Sequence, residues 1–94
     1  MFKPLDPILH SELRLSIISL LIGVKEADFS YIKEKTGATA GNMSVQLNKL
    51  QDAGYINISK TFKDNYPLTS CAITTKGRKA FEAYFTNLQS YFKK

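Results

Sequence analysis

The sequence predicts an α+β domain built from a helix-turn-helix, a β-hairpin and a closing helix. Three observations carry this expectation. Between Gly37 and Tyr55 the apolar residues Met43, Leu47 and Leu50 recur at i, i+4 and i+7, the period of an amphipathic helix. From Ile56 the period changes to two, and Lys63-Asp64-Asn65-Tyr66-Pro67 supplies turn chemistry before a returning strand. After Thr74 the helical period returns, carried by Phe81, Tyr84, Phe85, Leu88 and Phe92.

Taken in order, Asp6-Pro7 is read as N-cap and first position of an opening helix. Leu13, Ile17, Leu20 and Leu21 form one apolar stripe on it, and Leu15, Ile18 and Ile22 form a second. A helix apolar on two faces is buried on two sides, and a second copy of the chain could supply the second cover. Arg14, among these residues, could pair with an acid or reach a phosphate, and structural pairing is the expected role. Gly23 to Asp28 is a polar connection, and Phe29 anchors a short extended piece. Ser30 then caps a short helix from Tyr31 to Thr36, with Ile32 inward. Gly37 stops it, and Ala38-Thr39 turns tightly into the next helix. Two helices joined by a short Gly-containing turn are a helix-turn-helix.

Thr39 caps this second helix, Gly54 ends it, and Ala40 and Ala53 extend its apolar stripe. At ~100° per residue, Asn42, Val45 and Lys49 point the other way, with Gly41 and Gln46 beside them. An ordinary solvated face is laced with Glu and Lys. A face of short amides and small side chains instead suits close approach to another surface, and Asn and Gln read adenine edges in a major groove. Thr39, Gly41, Asn42, Val45, Gln46 and Lys49 are therefore candidate DNA-binding residues.

Ile56, Ile58 and Lys60 share one side of the first strand, and Leu68 to Ile73 return. Lys60 and Lys63 suit a hairpin lying along a phosphate backbone, although Asp64 opposes it. The closing helix is expected over about 75–92. Its aromatics, with Tyr91 broadening the stripe, exceed what a small core needs, and an apolar surplus of this kind marks an interface. Leu15, Ile18 and Ile22 together with Tyr84, Phe85, Leu88, Tyr91 and Phe92 are the candidate dimer contacts.

Composition narrows the function. Ninety-four residues suit one domain, and 44% hydrophobic with 22% charged residues describe an ordinary globular chain. The longest apolar run, Ile17 to Val24, is broken by Ser19 and Gly23 and is too short to span a bilayer. No signal peptide is visible, so a cytoplasmic protein without a membrane partner is expected. The net charge is +5; residues 35–81 hold seven basic and two acidic side chains, so the excess travels with the second helix and the hairpin. One histidine, His10, and one cysteine, Cys71, make no metal cluster. Cys71 reads as a buried hydrophobe and His10 as a surface or interface residue. No Gly-rich phosphate loop or Ser-His-acid set is present. Neither enzyme activity nor a cofactor is expected.

The element order, with G-N-M-S-V-Q-L-N-K-L-Q-D-A-G-Y-I (41–56), Pro67-Leu68-Thr69 and I-T-T-K-G-R-K-A-F (73–81), resembles the winged-helix transcriptional regulators, most nearly small stand-alone ones related to the MarR and ArsR groups. The last segment is similar to the L-T-x-x-G-R-x-A-F that opens the closing helix there. The resemblance implies a winged helix-turn-helix: three helices plus a β-hairpin wing and a C-terminal dimerisation helix. One DNA-binding domain over residues 1–94 would hold the helix-turn-helix at about 30–53 and the wing at about 55–74. It implies major-groove contacts from Asn42, Ser44, Val45, Gln46 and Lys49. The helical wheel sets Ser44 nearer the core side, as a phosphate or capping contact. The wing contacts implied are Lys60, Lys63, Asn65 and Tyr66. This chain departs from relatives that carry histidine where Gln46 stands and arginine where Tyr66 stands, and it lacks the ArsR metal-sensing cysteines. The expected function is sequence-specific binding of an inverted-repeat operator by a homodimer. The alternative is a winged-helix protein-assembly module, which would be expected to show aromatic or Met anchors on the 41–49 face.

Overall fold

In the computed structural model, which describes residues 2–93, Asp6 caps one turn and no more. Its Oδ1 accepts from the Ile8 N–H at 2.8 Å and its carbonyl from the N–H groups of Leu9 and His10. The Ile8 carbonyl, which a continuous helix would bond to the residue-12 N–H, accepts from Arg14 Nε at 2.6 Å instead. The opening helix, α1, therefore starts at Ser11, whose side chain caps Glu12–Leu21. The expected start at Asp6 is corrected by this competing side-chain donor.

After α1 come β1 (Ala27–Asp28), α2 (Phe29–Thr36), α3 (Ala40–Asp52), β2 (Ile56–Lys63), β3 (Tyr66–Ile73), α4 (Thr75–Leu88) and a 3₁₀ turn, Gln89–Tyr91. The helix-turn-helix, hairpin and closing helix thus occur as expected, with shifted edges. Asp28 occupies the cap position of α2, without a side-chain bond, and Phe29 is already helical; Ser30 is not the cap. Gly37, at φ 73°, ends α2, and Thr39 caps α3 by accepting from the Asn42 N–H. The α-helical part of the closing helix stops at Leu88, four residues before Phe92.

Three antiparallel strands form a sheet in the order β1-β3-β2. Lys63 pairs with Tyr66, so Asp64 and Asn65 alone make the turn. Both have positive φ, 52° and 66°, the requirement of the hairpin turn whose twist matches its strands. One sheet face carries Ile56, Ile58, Lys60 and Phe62 opposite Ile73, Cys71, Thr69 and Pro67. Its inner half closes the core.

That core joins Ile17, Ile18 and Leu21 of α1, Ile32 of α2, Met43, Leu47 and Leu50 of α3, and Ile56 and Cys71 of the sheet, all at most 2% exposed. Each such aliphatic side chain contributes about 1.5–3 kcal/mol on burial. Leu9, Ala27, Tyr55 and Tyr84 complete it. Cys71 is a buried hydrophobe, and burial pushes its thiol up to about 11. Ile18 and Tyr84 are inside the chain's own core, so neither offers a surface to a partner. This removes both from the candidate dimer contacts. The helical period counts a second stripe but cannot distinguish a second copy from the chain's own helices and sheet as its cover.

Two close fits fix the hairpin against α4. Thr74 donates its N–H to the Tyr55 carbonyl at 3.0 Å and its hydroxyl to the Gly54 carbonyl at 2.7 Å. Gly77 lies so near that a Cβ there would stand 2.2 Å from the Tyr55 carbonyl oxygen. The Tyr55 hydroxyl donates to Asp6 Oδ2. Desolvation, then this hydrogen bond and the nearby carboxylate charge, push the phenol up to about 12. Among the described residues, no helix is long and apolar enough to cross a membrane.

Candidate nucleic-acid interface

Helix α3 presents its apolar stripe to the core and leaves Gly41, Asn42, Ser44, Val45, Asn48 and Lys49 exposed, Val45 by 50%. From Ala40 to Gln51 the helix carries no carboxylate, and Lys49 is its one charge. Ala40 is exposed rather than part of the stripe. Asn48, not among the expected contacts, lies near the centre of this exposed face. The same ~100° wheel could have found it, because positions 41, 45 and 48 stand one above another.

Gln46 is half-buried rather than outward. Its Oε1 accepts from Arg14 Nη1 at 2.6 Å and its Nε2 donates to Asn42 Oδ1 at 3.0 Å. Both ends of the amide are thus engaged within the chain, and bidentate reading of a base by Gln46 would first require breaking the Arg14 contact. Among the described residues, Arg14 pairs with no acid. Its other bonds go to the carbonyls of Ile8 and Pro7, because the end of the opening turn places bare carbonyls beside it.

On the opposite flank of α3, Ser44, Asn48, Lys60, Thr69 and Phe29 line a cleft of about 180 Å³ between helix and hairpin. Lys60 faces α3, whereas Lys63, an odd number of residues away, lies on the other sheet face with Tyr66. The two lysines therefore cannot address one surface from the same side of the hairpin. Asn65 stands in the turn, and Tyr66 and Phe62 are 75% and 79% exposed. Phe62 was not among the expected contacts. Thr39 sits at the α3 terminus, its hydroxyl taken by the Asn42 N–H at 3.2 Å.

Of the other candidates, Phe85 and Phe92 are 57% and 77% exposed, and Leu15, Ile22, Leu88 and Tyr91 are half-buried. Tyr91 stacks on Phe2 and donates to the Lys3 carbonyl. His10 is exposed, its Nδ1 lying 3.1 Å from the Tyr84 hydroxyl.

A capped helix whose outer face carries no carboxylate, preceded by a shorter helix and followed by a two-stranded ribbon and a closing helix, defines a winged helix-turn-helix. Residues 13–92 match the family described as the winged helix DNA-binding domain, and the chain belongs to it. An uncharacterized protein of Methanocaldococcus jannaschii is 38% identical over 77 residues, which are 82% of this chain and 84% of that one. The transcriptional regulator homologue of Pyrococcus horikoshii superposes with a TM-score of 0.84 at 27% identity, covering 92% of this chain and 85% of that one. The S. aureus MepR–DNA complex shares the fold, with a TM-score of 0.73 at 16% identity over 89% of this chain and 68% of that one. Regulators of the MarR and ArsR families are also among the structural neighbours.

Proposed function

We propose that this winged-helix protein is a sequence-specific transcriptional regulator that binds double-stranded DNA as a homodimer. The observation that carries the reading is the exposed face of α3, which holds Gly41, Asn42, Val45, Asn48 and Lys49 and no carboxylate through Gln51. A face so short and free of negative charge can enter a major groove. Its amides offer donors and acceptors, and the Val45 methyl groups suit a thymine methyl. Thr39 and Ser44 would hold the helix to the DNA backbone, Lys63, Asn65 and Tyr66 would bring the wing tip to phosphates or the minor groove, and Lys60 would reach a phosphate from the side facing α3. That a transcriptional regulator homologue and a DNA-bound protein share the fold supports this.

The homodimer is supported by Phe85 and Phe92, large apolar side chains exposed near the end of the chain. A two-fold protein would read an inverted repeat with half-sites about 10 bp apart or a multiple of that. Exposed Phe62 and Tyr66 favour the second reading, a protein-docking module, since aromatics anchor protein interfaces. A gel shift with random duplex at two salt concentrations separates the two. DNA binding that weakens steeply with salt supports the regulator; no shift at low salt would leave the docking module.

A further inference from the structure

We propose that Arg14, outside the helix-turn-helix, sets the hydrogen-bonding polarity of the recognition helix, so that Asn42 offers donors to the groove. The inference rests on the DNA-binding reading and adds what kind of base edge that reading recognises.

The polarity follows from chemistry. A guanidinium has five donors and no acceptor, so whatever atom of Gln46 meets Arg14 Nη1 must be its oxygen. That leaves Gln46 only an NH₂ group to turn toward Asn42, and the Asn42 atom it meets must then be Oδ1. The Asn42 NH₂ group is left over. Among the described residues it makes no hydrogen bond within the chain, and Asn42 is exposed at the first turn of α3.

Arg14 itself has little freedom to reverse this. Its Nε is held by the Ile8 carbonyl at 2.6 Å and its Nη2 lies 3.5 Å from that of Pro7. The single turn at residues 6–10 and the break before Ser11 provide those carbonyls, which ties a detail of the opening turn to the readout. A free asparagine can present donor and acceptor together and so pair with adenine. One held by its oxygen presents donors foremost, which suits the O6 and N7 acceptors of guanine or the O4 of thymine. Arg14 and Gln46 are positioning residues here, and Asn42 makes the contact.

Gln46→Glu offers a test that a merely structural role would not pass. A carboxylate accepts from Arg14 as the amide does, but it cannot donate to Asn42. Asn42 must then turn its NH₂ group inward and expose Oδ1, so the preferred edge switches to a donor, cytosine N4 or adenine N6. Arg14→Met removes the fixed donor and frees both amides. The experiment is selection from a randomised duplex pool with the wild-type protein, Asn42→Ala, Arg14→Met and Gln46→Glu. Asn42→Ala identifies the position that Asn42 reads, and thermal melts establish that each variant folds.

At that position the wild type should favour guanine or thymine by about fivefold or more. Arg14→Met should flatten this preference and Gln46→Glu should reverse it. The same base preferred by all three, or adenine or cytosine preferred by the wild type, overturns the inference. Wild-type binding that enriches no sequence refutes the sequence-specific reading itself, a distinguishable result. The two variants disturb the relay from opposite ends, so failure of one to fold leaves the other to decide.

Discussion

Gly77→Ala sets two opposing effects against each other. Alanine is the better helix former, by about 1 kcal/mol over glycine, and Gly77 lies within α4. Against this, the added Cβ would stand 2.2 Å from the Tyr55 oxygen and 2.9 Å from its carbon. Relief needs a retreat of about 1 Å, since non-bonded atoms settle well beyond 3 Å. The obstacle is backbone, bonded to Thr74 and flanked by the Gly54 carbonyl that the Thr74 hydroxyl holds. It cannot swing aside as a flexible side chain would. Overpacking of this kind costs about 1–3 kcal/mol and more where the neighbour is rigid, so the clash wins. We expect a net loss of about 1–2 kcal/mol or more in urea unfolding. Gly41→Ala is the control, because a Cβ there meets nothing within 4 Å; it should raise stability by up to about 1 kcal/mol. Equal or greater stability of Gly77→Ala than wild type would refute the close approach of α4 to Tyr55.

Three further outcomes are expected. Lys63→Ala should weaken binding to every duplex alike and reduce the magnitude of the salt slope by about one unit, measured by fluorescence anisotropy over a salt series; a change confined to one sequence would contradict a backbone role. Phe85→Glu should leave the fold intact, because Phe85 is exposed, yet should run as a monomer in sedimentation while the wild type runs as a dimer; an unchanged dimer would move the interface elsewhere. Folding raises the Cys71 thiol from 9.0 to about 11 and the Tyr55 phenol from 10.0 to about 12. Between those values the folded chain binds more protons than the unfolded one, so stability is undiminished by these groups below pH 9 and falls as pH rises toward 12. Urea midpoints across that range check it, and a flat profile would contradict the burial of both groups.

The parts of this fold that local chemistry dictates were readable in the chain. Met43, Leu47 and Leu50 set the inner face of α3, Thr39 and Gly54 its ends, and Asp64-Asn65 the hairpin turn. What could not be read depends on contacts far apart in sequence. Strand β1 has two residues, too few for any period. Asp6-Pro7 carried a sound cap signal, but the Arg14 side chain reaches back to the Ile8 carbonyl and Ser11 supplies a new cap, so the helix restarts there. Gln46 looked outward on an isolated wheel because its partner is 32 residues away. Ile18 and Tyr84 look like surplus apolar surface until α1 and α4 are seen to share one core. Asn48 and the opposite facing of Lys60 and Lys63 were within reach of the helical and strand periods.

On the proposed function, α3 and the hairpin form the surface that meets DNA. Titrating a short duplex into isotopically labelled protein and following backbone amide shifts tests it directly. Salt-sensitive shifts are expected at Gly41, Asn42, Val45, Asn48 and Lys49 and along 60–66, with Phe85 and Phe92 unmoved. Shifts centred on Phe85 and Phe92, with α3 silent, would contradict it.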